Sequence, residues 1–164
     1  MTDVASRVRR ASEVDWAGLR AIRLESLADT PEAYGSTYEE SATWTDGRWR
    51  KAAAHWTYFL AEREGKVVGM VSGGLNDAHP GTHWLYGMYV TPSERGTGIA
   101  TRLVDAVVEW ARARGATQLH LHVTGSVSRA RAFYEKVGFV ATGEVLDMDR
   151  DRSITLHTMV RDLG

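Results

Sequence analysis

The chain has 164 residues, 43% hydrophobic and 25% charged, with a formal net charge of −1 and no cysteine. That length supports one domain with a real hydrophobic core, over 1–164, and the near-neutral charge gives no overall footprint for nucleic acid or an anionic membrane. The missing cysteines exclude disulfides, a thiolate nucleophile and a zinc–thiolate site.

In chain order, residues 5–11 predict a strand, whose spaced Arg7, Arg9 and Arg10 read as a solvated edge. Ser12-Glu13-Val14-Asp15 is a helix-start box, and Trp16, Leu19, Ile22, Arg23 and Leu27 keep helical spacing, so a first helix spans about 13–28. Thr30-Pro31 stops it. Residues 31–45 read as an aromatic loop or irregular helix carrying Tyr34, Tyr38 and Trp44, and a short helix covers Asp46 to His55. Two strands, Trp56 to Arg63 and Lys66 to Gly73, meet at Glu64-Gly65; after a loop at Asn76 to Gly81 comes a strand from Trp84 to Val90. Gly87 interrupts that strand, as a glycine does at a bulge or a close backbone approach.

A helix from Gly96 to about Arg114 puts Ile99, Leu103, Ala106, Val107 and Trp110 on one face, and Gly115 suits its C′ position. Leu119, Leu121 and Val123 alternate as a strand, with His120 and His122 on its opposite face. Ser128 to Val137 reads as a helix ended by Gly138. Val140 to Leu146 and Ser153 to Val160 form a last hairpin across Asp147 to Arg152. There is no repeat, linker, membrane-length apolar run or signal-peptide core, so a cytoplasmic location without a membrane partner is expected.

The segment Ser93 to Thr101 joins a strand to a helix through small residues, the pattern of an anion site. Glycines let the backbone approach, free N–H groups point outward, and the helix dipole favours a phosphate. A Walker A loop needs a Gly-Lys-Ser/Thr end, and no lysine lies between Lys66 and Lys136. A dinucleotide fingerprint needs a third small residue at Thr101. Arg95-Gly96-Thr97-Gly98-Ile99-Ala100 instead matches Arg/Gln-x-x-Gly-x-Gly/Ala, and here the chain resembles the GNAT superfamily of N-acetyltransferases. Ala130 to Phe139 is similar to that family's Ala-x-x-Phe/Leu-Tyr-Glu-Lys-x-Gly-Phe segment, and the β-α-α-β-β-β-α-β-α-β-β order matches over essentially the whole chain.

The resemblance implies an α/β (α+β) GNAT fold: a mixed sheet of about six to seven strands, about four flanking helices, and splayed central parallel strands. It implies acetyl-coenzyme A as cosubstrate, its pyrophosphate on Arg95, Gly96, Thr97, Gly98, Ile99, Ala100 and Thr101. The pantetheine arm would lie along Met88, Tyr89 and Val90. Tyr134 is the expected general acid toward the coenzyme A thiolate, because a phenol stays protonated at neutral pH. Relatives often carry Asn seven residues before this tyrosine; here Val127 stands there, and Ser126 or Ser128 is left to cap the helix. The base has no carboxylate candidate between Trp84 and Met88. Twelve residues ahead of Tyr134, where some relatives place a glutamate, stands His122, an imidazole suited to accept a proton.

His120 shares its face, and without a third ligand no metal site is expected. Tyr34, Tyr38 and Trp44, with Asp147, Asp149 and Asp151, border the region where this fold receives its acceptor. The function implied is acetyl transfer to a primary amine, first of a small molecule, with no nucleic-acid partner and with a homodimer compatible. The alternatives are a protein N-terminal or lysine acetyltransferase and a non-catalytic acyl-coenzyme A sensor.

Overall fold

The structure is a computed structural model that describes residues 6–164, so the first residue of the predicted opening strand lies outside the described residues. The sheet has seven strands: β1 (Arg7–Arg10), β2 (Thr57–Arg63), β3 (Lys66–Leu75), β4 (His83–Val90), β5 (Gln118–Thr124), β6 (Val140–Met148) and β7 (Asp151–Asp162). Their spatial order is β1-β2-β3-β4-β5-β7-β6, and every neighbouring pair is antiparallel except β4 with β5.

Among the described residues five α-helices accompany the sheet, one more than the pattern predicts: α1 (Trp16–Asp29), α2 (Tyr38–Ala42), α3 (Asp46–His55), α4 (Ile99–Ala113) and α5 (Ser128–Lys136). The extra one, α2, falls inside the aromatic segment. It is only five residues long and starts where the Thr37 hydroxyl accepts the Glu40 N–H, a cap that periodicity does not reveal. Residues 13–15 form a single 3-10 turn ahead of α1. The last hairpin is tighter than expected, because strand pairing runs on to Met148 and Asp151. No helix among the described residues is long and apolar enough to cross a membrane.

Two cores sandwich the sheet. On one side α4 buries Ile99, Leu103, Val104, Val107, Val108 and Ala111 against Leu85, Leu119, Leu121 and Val123, with Tyr134 and Phe139 completing the layer. On the other, α1 and α3 bring Leu19, Ile22, Leu27, Trp49 and Ala53 onto Tyr58, Leu60, Met70 and Tyr89. The second core lies at the β1–β4 end of the sheet. The opposite side of β5, carrying His120 and His122, therefore faces away from α4.

The opening of the fold is tied by charge. Arg9 donates to both oxygens of Asp15, at 2.5 and 2.8 Å, and to Glu62 on β2 at 2.6 Å. Asp15 also accepts the Ser12 N–H at 2.8 Å, the reciprocal half of the predicted helix-start box. The Arg9 hydrogen bonds hold the Asp15 carboxyl down at about 2, against 3.8 ordinarily. A carboxyl depressed in the folded state stabilises above its unfolded pKa, and that contribution fades as pH falls toward 2. Asp15→Asn should therefore lower the unfolding free energy at pH 7 by about 1–2 kcal/mol. Urea titrations should show the gap to wild type closing between about pH 4 and pH 2; a gap independent of pH contradicts this account.

Candidate functional site

The parallel pairing of β4 with β5 lasts two positions, His83 with Leu119 and Trp84 with His120. Beyond Trp84 the strands part, and the β5-facing edge of β4 is left without a strand partner from Leu85 to Val90. A bulge assists: Met70 pairs with Tyr89 and Ser72 with Tyr86, so Val71 alone opposes Gly87 and Met88. Gly87 sits at φ +59°, a conformation that glycine adopts without the Cβ penalty. One residue inserted into β4 thus turns its backbone away from β5.

The opening continues into a cleft of about 360 Å³ between β4, the start of α4 and α5. Its floor is made by Gly96, Gly98, Ala100 and Thr101. Gly96 and Gly98 have φ of +82° and +88°, and Gly98 is the N-cap of α4. The first-turn N–H groups of a helix have no intrahelical acceptor, and among the described residues those of 96–101 have no other. The dipole of a fifteen-residue helix adds to them. Arg129 and Lys136 of α5 bring two cations to the same cleft, beside apolar Val127, Ala130 and Phe133. Free N–H groups, a helix N-terminus, two cations and an apolar channel fit a long ligand with a phosphorylated head, as acetyl-coenzyme A is.

Tyr134 forms one wall of the cleft, packed against Phe133 and Phe139, and burial pushes its phenol above the usual tyrosine range. It keeps its proton at neutral pH. Tyr34 faces the cleft too, but its hydroxyl donates to the Met88 carbonyl at 2.9 Å, and burial raises it to about 12. Tyr34 therefore fixes the bulged strand to the segment after α1, and the Met88 carbonyl is already engaged.

Arg95 is similarly occupied. Its guanidinium donates to the Val90 carbonyl at 3.1 Å and to Asp29 at 3.0 Å, and lies over the Tyr89 ring. In the structure it braces the loop at the edge of the cleft. Glu94, the one acid lining the cleft, is paired with Arg63 at 2.9 Å.

Of the other predicted positions, Met88, Tyr89 and Val90 line the cleft. Ile99 is buried in the α4 core and the Thr97 hydroxyl donates to the Glu94 carbonyl; neither is among the residues lining the cleft. Neither Ser126 nor Ser128 caps α5, whose N-cap is Val127 without a side-chain hydrogen bond. Tyr38 lies in a separate depression with Leu27, Pro31 and Arg150. Trp44 packs on Trp49 at 4.7 Å under Arg48 and serves α3. Asp147 approaches Arg152 and Asp151 accepts from Ser153, both at the exposed turn of the last hairpin.

His122 lies across the sheet from Tyr134. Its ring is 4.6 Å from Trp84 and that of His120 is 5.1 Å from it, on the side away from α4. Burial lowers both imidazoles below their ordinary range, which Glu144 partly opposes. The His122 Nε2 and His120 Nδ1 atoms are buried and have no hydrogen-bond partner among the described residues. His122 is thus a neutral acceptor at neutral pH. A tyrosine that keeps its proton and a histidine that lacks one flank the β4–β5 opening from its two faces.

Three participants escape the sequence patterns. Arg129 and Lys136 are ordinary helix cations until α5 is laid beside α4. Arg150, at the tip of the last hairpin, donates to the Tyr34 carbonyl at 2.9 Å and the Pro31 carbonyl at 2.6 Å, clasping the hairpin to the segment after α1. No local signal marks a contact spanning 116 residues.

Residues 19–139 match the model of the acetyltransferase (GNAT) family. A mycothiol acetyltransferase of Beutenbergia cavernae is 30% identical over 129 residues, 79% of this chain and 41% of that protein. The chain spans about two fifths of the length of the mycothiol acetyltransferases it matches. Among solved structures, a ribosomal-protein-alanine N-acetyltransferase of Brucella melitensis superposes with a TM-score of 0.70 at 26% identity, covering 95% of this chain and 99% of that one. The yncA protein of Salmonella typhimurium, solved with acetyl-CoA as its cofactor, gives 0.77 at 19% identity over 98% and 95% of the two chains.

A Cβ added at Gly98 would meet nothing within 4 Å, so only the left-handed backbone opposes a side chain there. Gly98→Ala should lower stability by about 1–2 kcal/mol. Urea unfolding checks this, and an unchanged or raised midpoint contradicts the geometry assigned to the α4 start.

Proposed function

This chain belongs to the GNAT acetyltransferase family, and from that premise we propose that it moves the acetyl group of acetyl-coenzyme A directly to a primary amine of a small molecule. The observation that carries the proposal is the β4–β5 opening, with Tyr134 on one face and His122 on the other. Bound acetyl-coenzyme A supplies an acetyl thioester. The α4 N-terminus, with Arg129 and Lys136, holds the phosphorylated end, and the free edge of β4 from Met88 to Val90 orients the arm. A β4 N–H beside the bulge polarises the thioester carbonyl.

His122 accepts the proton that the amine loses on forming its new bond to carbon. Tyr134 delivers its phenolic proton to the sulfur as the carbon–sulfur bond breaks. Direct transfer needs no protein nucleophile, in keeping with the absence of cysteine. The Arg150 clasp ties the last hairpin to the segment after α1, the two stretches expected to border the acceptor, and a tied border suits a small acceptor.

Thiol release from acetyl-coenzyme A with a panel of small amines, peptides and lysine-bearing proteins tests the assignment. Turnover on small amines is expected; binding without turnover on any acceptor favours a sensor, and turnover confined to polypeptides favours a protein acetyltransferase. Tyr134→Phe should cut kcat by about 10²–10³-fold while leaving coenzyme A affinity within about twofold. Unaltered turnover removes Tyr134 from the chemistry. For His122, a base with a lowered pKa loses activity only as pH falls through that value. The acidic limb of kcat/KM should therefore lie below the usual imidazole range near 6.5, and His122→Gln should abolish it. Persistence of the wild-type limb in that variant rules the histidine out.

A further inference from the structure

Arg23 is a half-buried cation without a counter-ion among the described residues. It projects from α1 with its guanidinium 5.3 Å from the centre of the Tyr34 ring, the tyrosine whose hydroxyl holds Met88. Its Nη1 is the nearest atom to the place where a Cβ on Gly87 would stand, at 3.4 Å. Its charge is also felt by the buried hydroxyl of Tyr58. Yet none of the ion pairs among the described residues includes it. The carboxylates nearest in sequence on α1 are committed elsewhere: Glu25 accepts from Thr91, and Asp29 from Arg95.

A guanidinium held half out of water at a strand bulge, with its planar fork unmatched, is an unusual expenditure for stability alone. The place it occupies is informative. Arg23 stands on the α1 side of the sheet, the side to which His122 and Trp84 also belong. It is outside the cleft that Tyr134 lines. Gly87 follows Trp84 by three residues, about 10 Å of strand. The guanidinium and the Trp84–His122 pair thus bracket one side of the β4–β5 opening.

We propose that Arg23 is a specificity-determining residue that binds a carboxylate of the acceptor, so that the substrates are amines of the α-amino-acid class. This rests on the acetyltransferase reading and narrows it. The carboxylate takes the fork in bidentate fashion, with the guanidinium held by its cation–π contact with Tyr34. The amine beside that carboxylate is then held at the bulge, where the free edge of β4 begins. The amino-acid side chain points along β4 toward Trp84 and Tyr86, which lie 6.3 Å apart in a stacked arrangement. Mono-amines lacking an acid group leave Arg23 desolvated and unmatched, and are rejected for that reason.

The test pairs α-amino acids with their C-terminal amides in thiol-release kinetics, and in calorimetric binding to the protein saturated with coenzyme A. Wild type should favour the acid over its amide by about 10–100-fold in kcat/KM and in Kd. Arg23→Gln should raise KM for the acid by a similar factor and leave the amide unchanged, while Arg23→Lys, which keeps the charge without the fork, should recover only part. An arginine that merely props Tyr34 predicts equal losses for acid and amide, and that result overturns the proposal. So does a wild type that binds acid and amide alike, or neither. Arg23-dependent binding of the acid with no turnover of any amine leaves the carboxylate site standing and removes the acetyltransferase reading instead.

Discussion

Everything in the candidate site depends on one interrupted pairing. β4 and β5 are the parallel neighbours at the centre of the sheet, and their ladder stops after Trp84 and His120. A central strand with an unpaired edge is costly, because backbone N–H and C=O groups must find partners. The bulge at Gly87 makes the departure feasible by turning the backbone, and the Tyr34 hydroxyl satisfies one of the freed carbonyls at Met88. Arg95 takes the Val90 carbonyl, so the N–H groups left on this edge are the template for an extended ligand that offers carbonyls.

The two cores make this opening stable. α4 fastens the lower halves of β4 and β5 together through Leu85, Leu119 and Leu121, while α1 and α3 hold β2 to β4 from the other side. The same geometry explains why Tyr134 and His122 cannot belong to one face: α5 packs with α4, whereas alternation along β5 turns the histidines away from it. The residues proposed to deliver and to remove a proton thus lie on opposite faces of the sheet, with the opening between them.

Much of this was legible in the sequence because it is local. Glycines at 96, 98, 115 and 138 mark backbone conformations that side chains resist, and all four have positive φ. Alternation of Leu119, Leu121 and Val123 against His120 and His122 is a period-two pattern that survives any tertiary context. Harder to read were the features set by contact at long range. Arg95 matches the phosphate-loop motif, yet its side chain is spent on Asp29 and Val90. Tyr34 reads as a substrate wall and works as a hydroxyl donor to Met88. The α2 turn is too short for periodicity, and no pattern links Arg150 to Pro31 or Arg23 to Gly87.

The account stands on the free edge of β4 and the start of α4 acting together as the holder of acetyl-coenzyme A. Amide hydrogen exchange with and without that ligand reads both segments at once. Slowed exchange at Met88 to Val90 and at Gly96 to Thr101, with little change on β6 at the sheet's outer edge, is the predicted result. Unchanged exchange in both segments, or protection concentrated elsewhere, contradicts it.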